Sequence, residues 1–119
     1  MGPAPQIEPD RRAEVRMLCS DLVTVQWVDW TGTAFAATAI LENISPSGAC
    51  LQFEVPVSQG TQVSIAAPGV ALRGRVCYCL FRDAGYFAGV RFDDDCPWSE
   101  LSYKPRHLLD PRTLGDAGS

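Results

Sequence analysis

The sequence predicts an all-β protein: one six-stranded antiparallel barrel with a flexible N-terminal arm and a short C-terminal helix. Three observations carry that prediction. Six segments alternate apolar and polar residues or are dense in β-branched and aromatic ones. Glycine, proline and aspartate turn signals separate them, and no long amphipathic helix intervenes. The chain has 119 residues, 46% of them apolar, enough for one core and too short for two domains. Closing the sheet on itself answers the exposed edges that so many strands would create.

Each element follows in order. Residues 1–10 hold Pro3, Pro5 and Pro9 with almost no core-forming side chain, and read as a flexible arm. The domain is expected over 11–109. Leu22 to Val28 places Val23, Val25 and Trp27 on one face, opposite Thr24 and Gln26. A turn at Trp30-Thr31-Gly32-Thr33 leads to a second strand, Ala34 to Glu42. Ala49 to Val55 alternates again, Leu51 and Phe53 opposing Gln52 and Glu54. Gln59-Gly60 turns into Gln62 to Ala66, and Pro68-Gly69 into the long segment Val70 to Arg82, where Gly74 suggests a bend or bulge. Asp83-Ala84-Gly85 is a hairpin signal before Tyr86 to Phe92. The acidic run Asp93-Asp94-Asp95 and Pro97-Trp98-Ser99-Glu100-Leu101 then predict a short helix, cut off by Pro105 and Pro111. Trp98, Leu101 and Leu108 are expected to cover one end of the barrel. Residues 110–119 read as a disordered tail.

Composition excludes several classes. Fourteen Asp and Glu against ten Lys and Arg give a net charge of −4, so a broad basic footprint for a nucleic-acid polymer or an anionic membrane is not expected. The N-terminus lacks a charged n-region and an apolar h-region, and Gln6 stands where a myristoylation signal needs Ser or Thr. No apolar run approaches the roughly 18 residues of a membrane span. A cytoplasmic protein without membrane insertion is the expectation. Five cysteines are an odd count and read as reduced thiols. Cys77 and Cys79 are two apart, the wrong spacing for a metal pair, and no metal is expected. His107 sits in a polar segment, and nothing in the spacing supports a Cys–His nucleophile.

The basic residues are unevenly composed. Lys104 is the single lysine; the rest are arginines, and Arg11, Arg12 and Arg16 fall within six residues. Arginine's planar fork suits bidentate contacts with phosphates or carboxylates, which points to a small anionic ligand. The competing explanation is local pairing of these arginines with Glu8, Asp10 and Glu14. The segment Asn43-Ile44-Ser45-Pro46-Ser47-Gly48 follows. Ser45-Pro46-Ser47-Gly48 has the residue order of a type I turn, which by itself needs no function. The turn places Asn43 and Ser45 together at a strand end, and Gly48 leaves room for close approach.

Arg12-Ala13-Glu14-Val15-Arg16 matches the pattern RxxxR with Arg11 before it, and Asn43 to Gly48 matches D/N-x-S-x-x-G. In this order the two motifs resemble the PilZ family of bacterial cyclic di-GMP receptors, the similarity running from about Asp10 to Phe92. Gly89-Val90-Arg91-Phe92 is similar to that family's closing strand. The resemblance implies a six-stranded barrel and no catalysis. It implies cyclic di-GMP as ligand, no cofactor, and an unidentified downstream protein as partner. The implied ligand contacts are Arg11, Arg12, Arg16, Asn43, Ser45 and Gly48. The arm would order over the ligand and so alter an interaction surface. Arg11 implies a stacked ligand dimer. Asn43 offers one acceptor and one donor where aspartate offers two acceptors. The alternative is a PilZ-like scaffold that binds no nucleotide and works through protein contacts; an OB-like barrel for single strands is opposed by the acidic balance.

Overall fold

Alternation builds the first strand. In β1 (Met17–Val28) Val23, Val25 and Trp27 turn inward and are buried, while Thr24 and Gln26 face solvent. The computed structural model describes residues 14–112. The remaining strands are β2 (Ala34–Ser45), β3 (Gly48–Phe53), β4 (Gln62–Ala67), β5 (Val70–Arg82) and β6 (Gly85–Phe92). All pairs are antiparallel, and the sheet closes in the order β1-β2-β3-β6-β5-β4. The expected all-β barrel is the observed fold. Its core is one cluster in which Leu41, Ile44, Leu51, Phe53 and Ile65 are essentially sealed from solvent. Trp27 closes one end, its ring stacked on Phe35 at 5.5 Å and edge-on to Phe53 at 5.9 Å.

Three bulges shift the alternation. Leu41 pairs with Leu51 and Asn43 with Cys50, leaving Glu42 as an extra residue in β2. Val76 pairs with Val90 and Tyr78 with Gly89, leaving Cys77 extra in β5. A third irregularity lies in β1 between Leu18 and Asp21. The β5 bulge therefore falls at Cys77 and not at Gly74, where the sequence placed it. Gly74 is a close-contact position instead: a Cβ there would stand 2.3 Å from the Arg91 carbonyl oxygen.

Two strands outrun their expected limits on the side that matters for the site. β1 starts at Met17 instead of Leu22, and β2 continues through Ser45 instead of stopping at Glu42. Asn43 and Ser45 are thus ladder residues, and the β2–β3 connection is only Pro46-Ser47. Neither turn residue has a positive φ, consistent with the type I geometry expected of Ser-Pro-Ser-Gly.

The predicted C-terminal helix is not formed over residues 97–110. The amides of Ser102 and Tyr103 both reach the Ser99 carbonyl, at 3.0 and 3.2 Å, and the turn then ends. Trp98 is committed inward, with Nε1 donating to the Tyr103 carbonyl at 2.7 Å, which folds the chain back before a second helical turn; Pro105 follows. Trp98 and Leu108 do cover the core as expected, but Leu101 is 99% exposed.

The segment after Trp98 has another task. β1 pairs with β4 only from Thr24 to Trp27. Earlier in β1, Leu18 exchanges two hydrogen bonds of 2.7 Å with Leu109. The Asp21 carboxylate accepts from the amides of Arg106 (2.6 Å) and His107 (3.4 Å) and from the Tyr103 hydroxyl (3.2 Å). The C-terminal segment fills the part of the β1 edge that β4 leaves open. Burial works to raise the Asp21 pKa, but the amides of Arg106 and His107, the Tyr103 hydroxyl and the charge of His107 together hold it below the usual 3.8.

Candidate ligand-binding site

The two sequence motifs meet at the start of β1. Arg16 precedes the strand, Leu18 pairs with Asn43 in β2, and the Arg16 side chain reaches Asn43 directly. Its Nη1 donates to Asn43 Oδ1 at 2.9 Å. Asn43 reaches the outer surface because the Glu42 bulge resets the phase: Ile44 faces the core and Asn43 is half-buried on the outside.

Glu14, lying between the motif arginines, makes the second connection. Its Oε1 accepts from the Ser47 hydroxyl at 2.6 Å and from the Ser47 amide at 3.2 Å. The carboxylate is therefore engaged with the β2–β3 turn, and Arg16 with Asn43, in place of the local pairing of Arg16 with Glu14.

Ser45 and Gly48 are arranged differently from the expected open surface. Ser45 is 2% exposed, and its Oγ donates to the Gly48 carbonyl at 3.4 Å. It does not share an exposed face with Asn43. A Cβ on Gly48 would stand 2.4 Å from the Val90 carbonyl, so glycine here lets β3 approach β6. The turn is also covered from the C-terminal side: the Phe92 amide donates to Ser47 O at 2.8 Å and the Trp98 amide to Pro46 O at 3.1 Å. Arg11 and Arg12, the predicted arm over 1–10, and residues 113–119 of the predicted tail lie outside the described residues.

A row of residues that the sequence reading did not include in the site extends outward from Asn43. Asn43 pairs with Cys50, Cys50 with Gly89, and Gly89 with Tyr78, one residue from each of β2, β3, β6 and β5. Burial raises the Cys50 thiol, opposed by the Tyr78 hydroxyl and the positive charges of Arg16 and Arg82. Tyr78 is likewise raised, first by burial and then by Cys50, with Arg16 acting in the opposite sense. Arg16 thus opposes the effect of burial at both Cys50 and Tyr78. Simple alternation through β5 would turn Tyr78 inward; the Cys77 bulge turns it out, so no periodicity in the sequence marks it.

The family model described as PilZ domain matches residues 10–97 of the chain. Among curated proteins, no sequence matches it.

Proposed function

The chain belongs to the PilZ domain family, and from that premise we propose that it is a non-enzymatic receptor and adaptor for cyclic di-GMP. The observation that carries this reading is the Arg16–Asn43 hydrogen bond, which joins the two motifs in one surface site. Arg12 and Arg16 would hold phosphate or guanine O6/N7 through bidentate contacts. Asn43 would meet a guanine edge from the barrel wall. Ser45 and Gly48 belong to the site through the turn whose main chain they hold in place. Arg11 would bring a second, stacked ligand molecule. The arm, folding over the ligand, would pass occupancy on to a downstream protein; the segment Trp98 to Leu109 and the barrel surface beside the arm are the surfaces offered for that. No helix among the described residues is long and apolar enough to cross a membrane.

Calorimetric titration with cyclic di-GMP tests the proposal. Saturable binding is expected, weakened more than tenfold by Arg12→Ala or Arg16→Ala, since each change removes charge-assisted bonds worth roughly 1.5–3 kcal/mol. Arg11→Leu should take the stoichiometry from two ligands toward one. No binding at high micromolar protein would leave the scaffold reading in its place. One feature favours that second reading: Val28, Trp30, Phe35 and Val55 line an apolar groove of about 710 Å³ at a barrel end, with Trp30 93% exposed.

A further inference from the structure

We propose that the apolar groove at the barrel end is a self-association surface: two copies of this chain pack about a two-fold axis, each seating its Trp30 in the groove of the other. The contact stands apart from the receptor reading and needs no nucleotide.

Trp30 is the knob. It stands at the tip of the β1–β2 hairpin, on a turn fixed by its neighbours. Asp29 Oδ1 accepts from the amides of Thr31 (2.9 Å) and Thr33 (3.0 Å) and from the Thr31 hydroxyl (2.6 Å). The Asp29 amide donates to the Thr33 carbonyl at 2.9 Å, and Gly32 supplies a positive φ of 88°. None of these contacts uses the indole, which is left almost wholly in solvent. Turn chemistry favours Asn, Asp, Gly, Ser or Pro at such positions, so the tryptophan's apolar area does nothing for the turn. A large aromatic held outward on a fixed turn is the kind of residue that anchors a protein interface.

The hole lies on the same patch. The groove's volume of about 710 Å³ is in the range of clefts that enclose a drug-sized molecule, roughly 300–1,000 Å³, so an indole fits. The buried Trp27 lines it, stacked on Phe35 and edge-on to Phe53, and Val55 and Pro56 of the β3–β4 connection form another wall. Trp30 itself lines the rim. Knob and hole therefore belong to one surface, which is what an isologous two-fold contact requires.

Charge selects a second copy as the occupant. The chain carries a net charge of −4, so most faces of two copies repel. The groove is lined by thirteen residues and the hollow beside it by ten, four of them common to both, nineteen in all. Only Asp29 and Arg73 among these are charged, and both are engaged within the chain: Asp29 by its turn, Arg73 by Asp93 and Asp95. An aromatic centre poor in charge, rimmed by Ser58, Gln59, Thr61 and Gln62, has the anatomy of an interface. Nineteen residues fall just short of the roughly 20–30 a side of a standard stable interface, so the dimer is a reversible one. Asn43 lies nine residues along β2 from Ala34, about 30 Å, so the Arg16–Asn43 end stays open in the dimer.

Sedimentation equilibrium of the full chain, from low to high micromolar concentration, tests the proposal. The apparent mass should rise toward twice the 12.9 kDa of one chain. Trp30→Ser should weaken association roughly tenfold or more. Val55→Asp, which sets a carboxylate into each groove, should do the same. Both side chains are exposed, so thermal unfolding of the dilute monomer should match wild type in each variant. Trp27 and Trp98 are buried, and the difference in emission between wild type and Trp30→Ser therefore reports Trp30, which should shift to the blue as the chain is concentrated. A chain that stays monomeric at the highest concentration overturns the proposal and leaves the groove to a partner of another sequence. A dimer that survives both substitutions overturns it by placing the contact elsewhere. Trp30 emission already blue in the dilute monomer would mean that this chain's own residues cover the groove, and likewise overturns it. Failure of cyclic di-GMP to bind would alter none of these outcomes.

Discussion

Arg16 Nη1 donates to Asn43 Oδ1 at 2.9 Å, joining the N-terminal arginine motif to the end of β2 across 27 residues of sequence. An amide oxygen is a neutral acceptor, so the bond is charge-assisted from the guanidinium alone, whereas a carboxylate in its place would make it an ion pair. Asn43→Asp would also present two acceptor oxygens to a guanine N1–H and N2–H pair. The expected result is about two- to tenfold tighter cyclic di-GMP binding, read by calorimetry. Unchanged or weaker binding would mean that Arg16 competes with the ligand for this position.

Glu14 holds the turn through Ser47. Glu14→Ala should lower stability by only about 1 kcal/mol, because the contact is partly open to water. The clearer effect should be local: amide relaxation at Val15 and Arg16 should report faster motion, with the core strands unchanged.

Gly48→Ala should be far more damaging than its size suggests. The added methyl meets the Val90 carbonyl, a backbone atom, so β3 and β6 must separate to admit it. A loss of about 1–3 kcal/mol is expected in urea denaturation.

Asp21 makes the barrel's closure sensitive to acid. Its folded pKa lies below the ordinary 3.8, so its contribution is complete above that value and is lost as pH falls through the lowered one. Asp21→Ala should cost about 1–3 kcal/mol at neutral pH and flatten the acid limb of the stability profile. An acid limb identical in wild type and variant would refute this role.

Cysteine labelling gives a simple map of the walls. Cys77, the exposed bulge residue, should react first with iodoacetamide near pH 8, and Cys19 last, because burial pushes its thiol up to about 12, with Asp21 and Glu42 adding to the effect.

Much of this architecture could be read directly. Val23, Val25 and Trp27 declared β1 by alternation, and Ser45-Pro46-Ser47-Gly48 declared a two-residue turn. The failures within the strands have one physical cause, that a single inserted residue reverses which face a strand presents. Glu42 and Cys77 are such insertions, and nothing in their side chains announces them. For the same reason Tyr78 did not suggest itself at all. Ser45, in phase with Asn43 and so expected outside with it, is instead buried, its Oγ turned onto the Gly48 carbonyl. At the C-terminus, a proline followed by Trp-Ser-Glu-Leu has good helix-start chemistry, but the Trp98 indole finds its acceptor at Tyr103 and tertiary contact overrides local preference. Asp21 lies outside the expected strand Leu22 to Val28, yet it is the acceptor that binds a segment some 85 residues away.

The join between β1 and β4 gives the ring an uneven resistance to opening. Four residues of β1, Thr24 to Trp27, are laddered to β4, while Leu18 and Asp21 depend on residues 103–109, which are not a strand. Amide hydrogens there should exchange through a local excursion that leaves the β3–β6 pairing intact. In such an excursion the freed stretch of β1 becomes a vacant template for an incoming extended peptide, beginning two residues from Arg16.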